Sequence, residues 1–451
     1  MPPGGTTRLV IALLLAVPAL CDRASAQHRG LAGSSHVHNG VQLQTFSAGL
    51  PHLSPSDLRA VAVVNPYPFC HDIVFGIYYA MSLLTPHVDV YYDQSKHGMD
   101  KLGAFHTVGV KEVVQSILDR PILAVQDLAN NSHTYDLVIY ADWYGPEGPT
   151  DKDTSLQAML AAGYKGKIWI FNHEPDYLFW PFLTDTARTK ELKATPAFMK
   201  ETWEVYNLPQ LEWFTIAPHV RNTLQVKFGQ MGLNKTVHWV CPVFPAVQPG
   251  GRWQPASAAG KMGFAVQGAH SRRNYTALFT QLAARQDILD KPLFQIQTYT
   301  WGPLQANTIP ETVRPHVTGK NHLDFEPFYG NMSQNLAMLT LFDTKRYFHD
   351  AASSSVVVTI NTGTPLIVEP GFLEVYTFVS AGSVVVAENR DYAGAIEKIL
   401  NMSAAQWEEL AMEMVVTRQA NVVRNLQVFA RLLRHRPQLV QAAQGTTAQL
   451  A

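Results

Sequence analysis

The sequence predicts an α/β protein with two Rossmann-like domains that face a cleft. A chain of 451 residues leaves room for two domains of ordinary size, and a hydrophobic share of 47% is enough to fill two cores. Apolar strands alternate with amphipathic helices from Ala60 onward, and the alternation stops and then starts again after a stretch of small and turn-forming residues. Strands that alternate with helices form parallel sheets covered on both faces, and ligands bind at the carboxyl ends of such strands.

The composition along the chain predicts six segments. They are a signal peptide (1–26), a flexible lead-in (27–56), an N-terminal domain (57–245), a linker (246–260), a C-terminal domain (261–402) and C-terminal helices (403–451). The lead-in is rich in Gly, Ser and His with little apolar pattern. The linker, A-V-Q-P-G-G-R-W-Q-P-A-S-A-A-G, consists mainly of small and turn-forming residues, which are typical of connections between domains.

The first of these segments has the pattern of a secretory signal. Arg8 precedes an apolar run of about 13 residues, and Ala24-Ser25-Ala26 before Gln27 matches the signal-peptidase pattern. A membrane-spanning helix needs about 20 apolar residues, which favours a cleaved leader over an uncleaved Golgi-type anchor, and no stable transmembrane span is expected. Several N-x-S/T acceptors agree with passage through the secretory pathway: Asn130, Asn234, Asn274, Asn331 and Asn401. The predicted location is the ER or Golgi lumen, or outside the cell.

The charge and the cysteine spacing argue against nucleic-acid binding and against a metal site. Lys and Arg number 35 against 36 Asp and Glu, and the formal net charge is −1 without a basic run, so nucleic acid is not an expected partner. After the leader, Cys70 and Cys241 have no metal-ligand spacing, and whether they pair in a disulfide is left open. Residues 151–153 have the D-x-D spacing of some metal sites, but they lie at a predicted helix start, where acidic residues are expected without a metal. We therefore expect no metal site.

Both domains follow the same alternation in chain order. The strands predicted in the first domain are 61–67, 88–93, 135–142, 167–173, 211–218 and 237–243, and the helices are 71–84, 110–118 and 151–162. The strands predicted in the second domain are 261–268, 293–300, 366–368 and 383–387, and the helices are 274–284, 331–340, 392–400 and 404–435. Each strand is an apolar run bounded by turn residues, and each helix has an apolar face.

The second domain contains the stretch that carries most of the functional prediction. Ser353, Ser354 and Ser355 are predicted to begin a short apolar helix that ends before Gly363. Hydroxyls and free backbone N–H groups at a helix start attract phosphate, because the unpaired donors and the helix dipole point the same way. This pattern predicts a diphosphate site.

The residues that follow, T-G-T-P-L-I-V-E-P-G-F-L-E (362–374), resemble a motif of GT-B glycosyltransferases, in particular the family-4 type. In that family an acidic-rich helix precedes G-T-P, a buried strand and a G-G-x-x-E-like turn. The resemblance implies a GT-B fold, a nucleotide-sugar as co-substrate and no tightly bound metal. One feature departs from the family, which has two glutamates before G-T-P, whereas this chain has Asp350 and Val358 at the matching positions.

The resemblance also implies which residues bind the donor. Such transferases place a glycine and then a basic residue in the first turn of this domain, here Q-G-A-H-S-R-R-N-Y, which implies Gly268 with Arg272 or Arg273 on the diphosphate. Arg272 is the favoured residue, and an arginine suits the role because its planar fork holds two phosphate oxygens. Thr364 and Glu374 are expected on the donor as well. Two solvated arginines at a helix start are the alternative.

The catalytic candidates lie in the first domain. N-H-E-P-D (172–176) follows a predicted strand, which places His173 and Asp176 at the cleft. An inverting transfer needs a base for the acceptor hydroxyl, whereas a retaining transfer needs mainly hydrogen bonds to the donor sugar. A His and an Asp that only cap a loop are the alternative. His71 and Asp72 are expected to begin a helix, with acceptor binding as the other possibility.

Together these observations predict a glycosyltransferase of the secretory pathway. It would move a sugar from a nucleotide-sugar donor to a hydroxyl of a glycan, glycoprotein or lipid. The alternative is a secreted, catalytically inactive protein that keeps the fold and binds glycans. Affinity for a nucleoside diphosphate separates the two, because only the enzyme requires it.

Overall fold

Our structure is a computed structural model of the chain. It describes residues 58, 60–66, 71–92, 121–143, 154–173, 175, 203–205, 207–244, 261, 263–268, 272–300, 304, 308–320, 323 and 325–434. The predicted leader, lead-in and linker lie outside the described residues, as do the predicted helix at 110–118, Cys70 and Asp176.

The first half of the described chain is built on a sheet of seven strands, which we call the first sheet. Its strands are β1 (Val61–Asn65), β2 (Val88–Tyr92), β3 (Ile122–Ala124), β4 (Leu137–Tyr140), β5 (Lys167–Phe171), β6 (Leu211–Thr215) and β7 (Val237–Trp239). Its helices are α1 (His71–Ser82), α2 (Leu128–Asn131), α3 (Ser155–Ala161) and α4 (Pro218–Gln230), with 3₁₀ turns at Val125–Asp127 and Ser132–Thr134. The strand order is β3-β2-β1-β4-β5-β6-β7, and all the pairs are parallel.

The second half is built on a sheet of six parallel strands, the second sheet. Its strands are β8 (Phe264–Gln267), β9 (Ile296–Tyr299), β10 (Val317–Gly319), β11 (Ala337–Leu339), β12 (Leu366–Val368) and β13 (Val384–Val386), in the order β10-β9-β8-β11-β12-β13. The helices are α5 (Tyr275–Ala283), α6 (Gln286–Leu289), α7 (Phe325–Ser333), α8 (Arg346–His349), α9 (Ser354–Thr362), α10 (Phe372–Val375), α11 (Tyr392–Leu400) and α12 (Ala404–Arg434). Further 3₁₀ turns occupy Arg314–His316, Ala381–Ser383 and Glu388–Arg390.

The central strands are buried on both faces, which explains why their sequences are runs of apolar residues. Every residue of β1, V-A-V-V-N, is buried, as expected for a strand with neighbours on both edges and helices on both faces. β12, L-I-V, is likewise buried throughout. α9 ends at Thr362, and the next residue, Gly363, has a φ of 69°, the left-handed conformation that closes many helices. The next residues can therefore turn back at once into β12.

One predicted element is wrong. The sequence predicts a helix at 331–340, but α7 ends at Ser333 and the buried strand β11 begins at Ala337. Met332, Leu336 and Leu339 are spaced like one face of a helix, which hides the end of α7. A strand of three residues is also too short to show an alternating pattern. The short strands β3 and β10 and the helix α4 were not predicted.

The long helix α12 contacts both sheets. Near its start, Trp407 and Leu410 lie in the core of the second sheet. Near its end, the Phe429 ring lies 5.1 Å from Trp169 of β5, and the backbone O of Leu432 accepts a hydrogen bond from Lys167 Nζ (2.6 Å). α12 therefore ties the two sheets together.

The connection after β7 is held by side-chain amides from both α9 and α12. Asn425 of α12 accepts a hydrogen bond from the backbone N of Cys241 (3.2 Å) and donates one to its O (2.5 Å). Asn361 of α9 accepts from the backbone N of Phe244 (3.0 Å) and donates to the O of Pro242 (3.3 Å). Residues 241–244 are therefore fixed on both sides.

Candidate functional site

The candidate donor site lies at the carboxyl edge of the second sheet. β8 leads into Gly268 and then to Arg273, just before α5. α9 begins beside it, with Ser353 as the N-cap residue in an extended conformation (φ −89°, ψ 123°). We call Gly268, Arg273, Ser353 and Ser355 the arginine cradle.

The Arg273 guanidinium forms the centre of the cradle. It donates hydrogen bonds from Nε to Gln267 O (2.8 Å), from Nη1 to Arg272 O (3.3 Å), and from Nη2 to Ser353 Oγ (3.2 Å) and Ser355 Oγ (3.1 Å). Arg273 is only 4% exposed. Among the described residues, no carboxylate pairs with this buried cation. Within the described part of the chain, the cradle therefore carries a positive charge without a carboxylate partner at a helix start.

Aromatic rings form one wall of the cradle. The guanidinium carbon of Arg273 lies 5.2 Å from the centre of the Phe342 ring and 4.7 Å from that of Tyr347. The Tyr376 hydroxyl accepts a hydrogen bond from the backbone N of Ser353 (3.3 Å) and donates one to Tyr347 O (3.0 Å). Burial raises the pKa of Tyr376, which keeps this hydroxyl a neutral donor. The rings exclude water from one side of the cation and strengthen its electrostatic interactions.

Gly268 has a backbone conformation that favours glycine, and the nearby Arg273 side chain leaves no room for a Cβ atom. Its φ is +122°, and an added Cβ would lie 2.9 Å from Nε and 3.0 Å from Nη2 of Arg273. Its carbonyl oxygen accepts a hydrogen bond from the Tyr275 hydroxyl (3.0 Å). Gly268 therefore leaves the space that the guanidinium occupies, in the turn where the sequence predicted a donor-binding glycine.

A buried glutamate, which was not among the predicted site residues, holds the wall in position. Glu369 follows β12 and accepts hydrogen bonds from Thr340 Oγ1 (2.6 Å), from the backbone N of Phe342 (2.5 Å) and from the Tyr392 hydroxyl (3.1 Å). Phe342 in turn forms an isolated bridge with Arg273. The signal in the sequence is a charged residue directly after the apolar run L-I-V, where a buried carboxylate needs several donors.

The other predicted donor residues lie in different surroundings. Arg272 and Ser354 are exposed, and so is Glu374 of α10. Thr364 lies beyond the opposite end of α9, and its buried hydroxyl bonds to Thr362 Oγ1 (2.9 Å) and Met332 O (3.1 Å). The nine residues of α9 span about 13 Å, so the structure does not bring Thr364 to the cradle. Roles for these residues on the donor remain predictions.

The catalytic candidate His173 lies at the carboxyl edge of the first sheet, in a cluster with two carboxylates. Its Nδ1 is 3.2 Å from Oδ1 of Asp142, whose side chain is fully buried, while the His173 side chain is 15% exposed. Asp72, in the first turn of α1, is the third member. Burial raises the pKa of Asp72, nearby His173 opposes this rise, and Asp142 adds to it. We call Asp72, Asp142 and His173 the acidic–histidine cluster.

His71, which precedes Asp72, packs against Tyr92. This buried residue begins α1, its ring stacks on Tyr92 with centres 5.6 Å apart, and Nδ1 lies 3.2 Å from the Tyr92 hydroxyl. The predicted helix start at His71 and Asp72 is therefore confirmed. Asp72 interacts electrostatically with the catalytic candidate His173.

The two halves of the chain touch next to the cradle. His219 of α4 has Nε2 at 3.0 Å from Ala351 O, and its ring lies 4.9 Å from that of Tyr376. Thr223 donates a hydrogen bond to His349 O (2.7 Å). Because a carbonyl only accepts hydrogen bonds, Nε2 of His219 carries the proton. A helix of the first half therefore contacts the residues just before α9.

This contact predicts a pH dependence of stability. Burial lowers the pKa of His219 below its ordinary value of 6.5, so below that pH the unfolded chain binds a proton that the folded chain does not. The free energy of unfolding should fall as the pH drops from about 6.5 towards the pKa of the folded state, by at most about 1.4 kcal/mol per pH unit. His219→Gln keeps a donor for Ala351 O and should show a smaller fall in urea unfolding between pH 7 and pH 5. Equal slopes for the two proteins would contradict this account.

Comparison with known proteins supports the fold. The chain matches no protein-family model and no curated protein. Among solved structures it is similar to HepE of Anabaena in complex with UDP, with 12% identity and a TM-score of 0.50 over 83% of this chain and 99% of that chain. It is also similar to the E. coli trehalose-6-phosphate structure bound with UDP-2-fluoro glucose, with 12% identity and a TM-score of 0.50 over 84% and 100% of the two chains. The predicted fold class, two parallel-sheet α/β domains in the GT-B arrangement, is confirmed.

Proposed function

We propose that this protein is a glycosyltransferase of the secretory pathway. It moves a sugar from a nucleotide-sugar donor to a hydroxyl of a glycan, glycoprotein or lipid. The observation that carries the proposal is the arginine cradle, in which the buried Arg273 guanidinium donates to two backbone oxygens and to the Ser353 and Ser355 hydroxyls at the start of α9. A diphosphate is the ligand that suits this site.

The chemistry of the cradle supports this choice. A buried cation without a counter-charge is costly, and an anion that binds beside it offsets the cost. The Ser353 and Ser355 hydroxyls accept hydrogen bonds from Nη2 of Arg273, so the O–H group of Ser353 is available as a donor. The first backbone N–H groups of α9 are adjacent. These donors match the oxygens of a diphosphate, whose negative charge grows as it leaves the sugar. Arg273 would therefore stabilise the leaving group, with Arg272, Thr364 and Glu374 as further proposed donor contacts.

Both structural neighbours support the nucleotide part of the proposal. HepE of Anabaena was solved with UDP, and the E. coli structure was solved with UDP-2-fluoro glucose. A uridine diphosphate sugar is therefore the first donor to test. His173 and Asp176 are the proposed catalytic residues, and Asp176 lies outside the described residues.

A thermal-shift and transfer experiment tests the proposal. The secreted chain is screened against UDP, GDP, ADP and CDP, and a ligand at a hundred times its dissociation constant should add about 2.7 kcal/mol of stability. The matching nucleotide-sugars are then supplied with mixed glycan acceptors, with and without EDTA because no metal is expected. Nucleotide binding with transfer supports the proposal. No binding of any nucleotide would overturn it.

A glycan-binding protein without activity is the second candidate. The observation that favours it is Val358, which is buried in α9 at the position of the second glutamate of the family-4 type. This apolar side chain cannot replace a carboxylate on the donor. A shift in stability with glycans but with none of the nucleotides would select this function.

The location can be tested through the predicted glycan acceptors. Asn130, Asn234 and Asn401 are exposed, whereas Asn274 and Asn331 are half-buried. Oδ1 of Asn274 caps α5 by accepting from the backbone N of Ala277 (3.0 Å), and Nδ2 of Asn331 donates to Pro327 O (2.7 Å). We expect glycans at the three exposed sites and little at the other two when a eukaryotic cell secretes the protein.

Glycopeptide mass spectrometry of the secreted protein measures this occupancy. Absence of glycan from all three exposed sites, or retention of the protein in the cytosol, would contradict the proposed location. In the part of the chain that the structure describes, no helix has the length and apolar character needed to cross a membrane.

A further inference from the structure

We propose that Arg221, Arg424 and Arg431 form a binding surface for an acidic glycan, and that this glycan is the acceptor. We call these three residues the arginine edge, because they lie around β7, the end strand of the first sheet. The acceptor role rests on the proposed transferase function and deepens it by naming the class of the acceptor. The binding of the glycan can be measured without that function.

The net charge of −1 hides an uneven distribution of charge along the chain. Residues 213–286 contain eight Lys or Arg and no Asp or Glu, and residues 414–451 contain five Arg and again no acidic residue. α4 and β7 belong to the first of these stretches, and the second half of α12 belongs to the other. The fold brings the two stretches together at β7.

Contacts with β7 hold α4 and α12 beside it. Oε1 of Gln225 in α4 accepts a hydrogen bond from the backbone N of Val237 (3.0 Å). Arg424 in α12 donates from Nη1 to Trp239 O (3.0 Å), and its guanidinium lies over the Trp239 ring. Stacking on an aromatic ring holds the plane of a guanidinium in one orientation, which suits recognition of a carboxylate or sulfate by two parallel hydrogen bonds.

The neighbours of these guanidiniums are neutral or positively charged. Arg221 donates to Oδ1 of Asn222 (2.7 Å). Burial lowers the pKa of Arg424 to about 10, and Cys241 opposes this lowering. The positive charges of Arg221 and Arg431 lower it further, so both act on Arg424. Among the described residues, no carboxylate forms an ion pair with any of the three. A bound anion therefore meets several cations at once.

Helix dipoles account for only one of the three positions. Arg431 lies in the last turn of α12, where a cation is favourable. Arg424 lies two turns earlier, about 10 Å from that turn, and the effect of the dipole is confined to the last turn. Arg221 lies in the first turn of α4, where a cation opposes the dipole. An anionic ligand accounts for the other two positions.

The surface fits a glycan chain better than a membrane. Arg431 is exposed and Arg424 is half-buried, and their spacing of about 10 Å along α12 lets them contact separate charges of one extended chain. A helix that binds a membrane surface presents large apolar side chains beside its cations. Between Arg424 and Arg434, α12 exposes no large apolar side chain, and in α4 only Val226 is strongly exposed.

The arginine edge begins next to the donor site. Arg221 is two positions after His219, whose Nε2 lies 3.0 Å from Ala351 O, and Ala351 is two positions before Ser353 of the cradle. A glycan that extends along α12 and reaches Arg221 therefore approaches the arginine cradle, where one of its hydroxyls can meet the donor sugar.

The first measurement is the binding of the secreted chain to polysaccharides in the absence of nucleotide. Polygalacturonate and heparin supply carboxylates and sulfates, dextran is the neutral control, and phosphatidylserine vesicles are the membrane probe. We expect binding to an acidic polysaccharide that weakens as the salt concentration rises, and no binding to dextran. Binding to the vesicles alone, or to no acidic polysaccharide at low salt, would overturn the proposal.

The second measurement locates the surface with a double variant, Arg424→Gln with Arg431→Gln. Its affinity for the acidic polysaccharide should fall about tenfold or more at low salt, because two charge-assisted contacts are lost. Arg285→Gln is the matched control, since Arg285 is already paired with Asp287 and Glu397 (both 2.7 Å), and it should bind like wild type. Thermal unfolding shows whether each variant folds. Equal affinities of the double variant and wild type would contradict the assigned surface.

The third measurement tests the acceptor role with the glycan mixture of the transfer experiment. Acidic glycans should carry the transferred sugar. Removing their charges, by methyl esterification of carboxylates or removal of sulfates, should lower kcat/KM about tenfold, mainly through KM, and the double variant should do the same. Transfer to neutral glycans alone would overturn the acceptor role. A chain that binds acidic polysaccharide but no nucleotide would overturn the transferase function and the acceptor role, and would leave the binding surface in place.

Discussion

Replacing Arg273 with alanine should weaken the binding of the nucleoside diphosphate by roughly 30- to 1,000-fold. Hydrogen bonds from a charged donor contribute about 1.5–3 kcal/mol each, and the truncation removes at least one of them together with the cation, or about 2–4 kcal/mol in total. The Ser353 and Ser355 hydroxyls remain, but they lose the donor that now holds them. Calorimetric titration with UDP measures the effect directly.

Two further variants make this test specific. Arg272→Ala removes the exposed neighbour, which the sequence favoured, and should change Kd by only a few-fold. Arg273→Lys keeps the charge but loses the planar fork, so its affinity should lie between those of wild type and Arg273→Ala. Thermal unfolding without ligand shows whether each variant folds. Loss of affinity in Arg272→Ala with normal affinity in Arg273→Ala would move the phosphate site to Arg272 and contradict the cradle.

Gly268→Ala should damage both the stability of the second half and its affinity for the nucleotide. A φ of +122° strains any residue with a side chain, which costs about 1–3 kcal/mol. The new methyl group would also lie 2.9 Å from Nε of Arg273, so the guanidinium must move away from the serine hydroxyls. We expect a fall of several degrees in the thermal midpoint together with a tenfold or greater rise in Kd for UDP.

Two other glycines provide matched controls. Gly163 also has a positive φ (+87°) but nothing within 4 Å of an added Cβ, so Gly163→Ala reports the backbone strain alone. Gly229 lies near the end of α4 with open space around it, and Gly229→Ala should be neutral or slightly stabilising. If Gly268→Ala binds UDP as tightly as Gly163→Ala does, the contact between Gly268 and Arg273 has no role in the ligand site.

The order of strands and helices could be predicted because their apolar runs are local. β1, β5 and β12 are short runs of buried apolar residues between turn signals, and α11 was predicted at 392–400, where the structure has it. The short strands β3 and β10 were not predicted, and β11 was predicted as part of a helix. Three residues show no period, and their neighbours in the sheet decide their conformation.

The residues of the site were harder to separate than the elements that carry them. The sequence places Arg272 and Arg273 side by side, but only the bridge between Arg273 and Phe342 shows which guanidinium turns inward. Asp142 was visible as the last residue of a predicted strand and was not among the predicted site residues. Its importance comes from a contact with His173, 31 positions later, that depends on the order of the strands. Pattern in a single sequence does not contain such long-range contacts.

The attachment of α12 to the first sheet also has a consequence for the order in which the chain can mature during synthesis. Phe429 packs on Trp169 and Phe214, in β5 and β6, and Asn425 holds Cys241 just after β7. Multidomain chains usually complete their amino-terminal domain while the ribosome is still translating the next one. Here the helix that packs on Trp169 and Phe214 emerges about 190 residues after β7. The amino-terminal half therefore gains its contacts with α12 only after the second sheet has been translated, although it is the first half to be made.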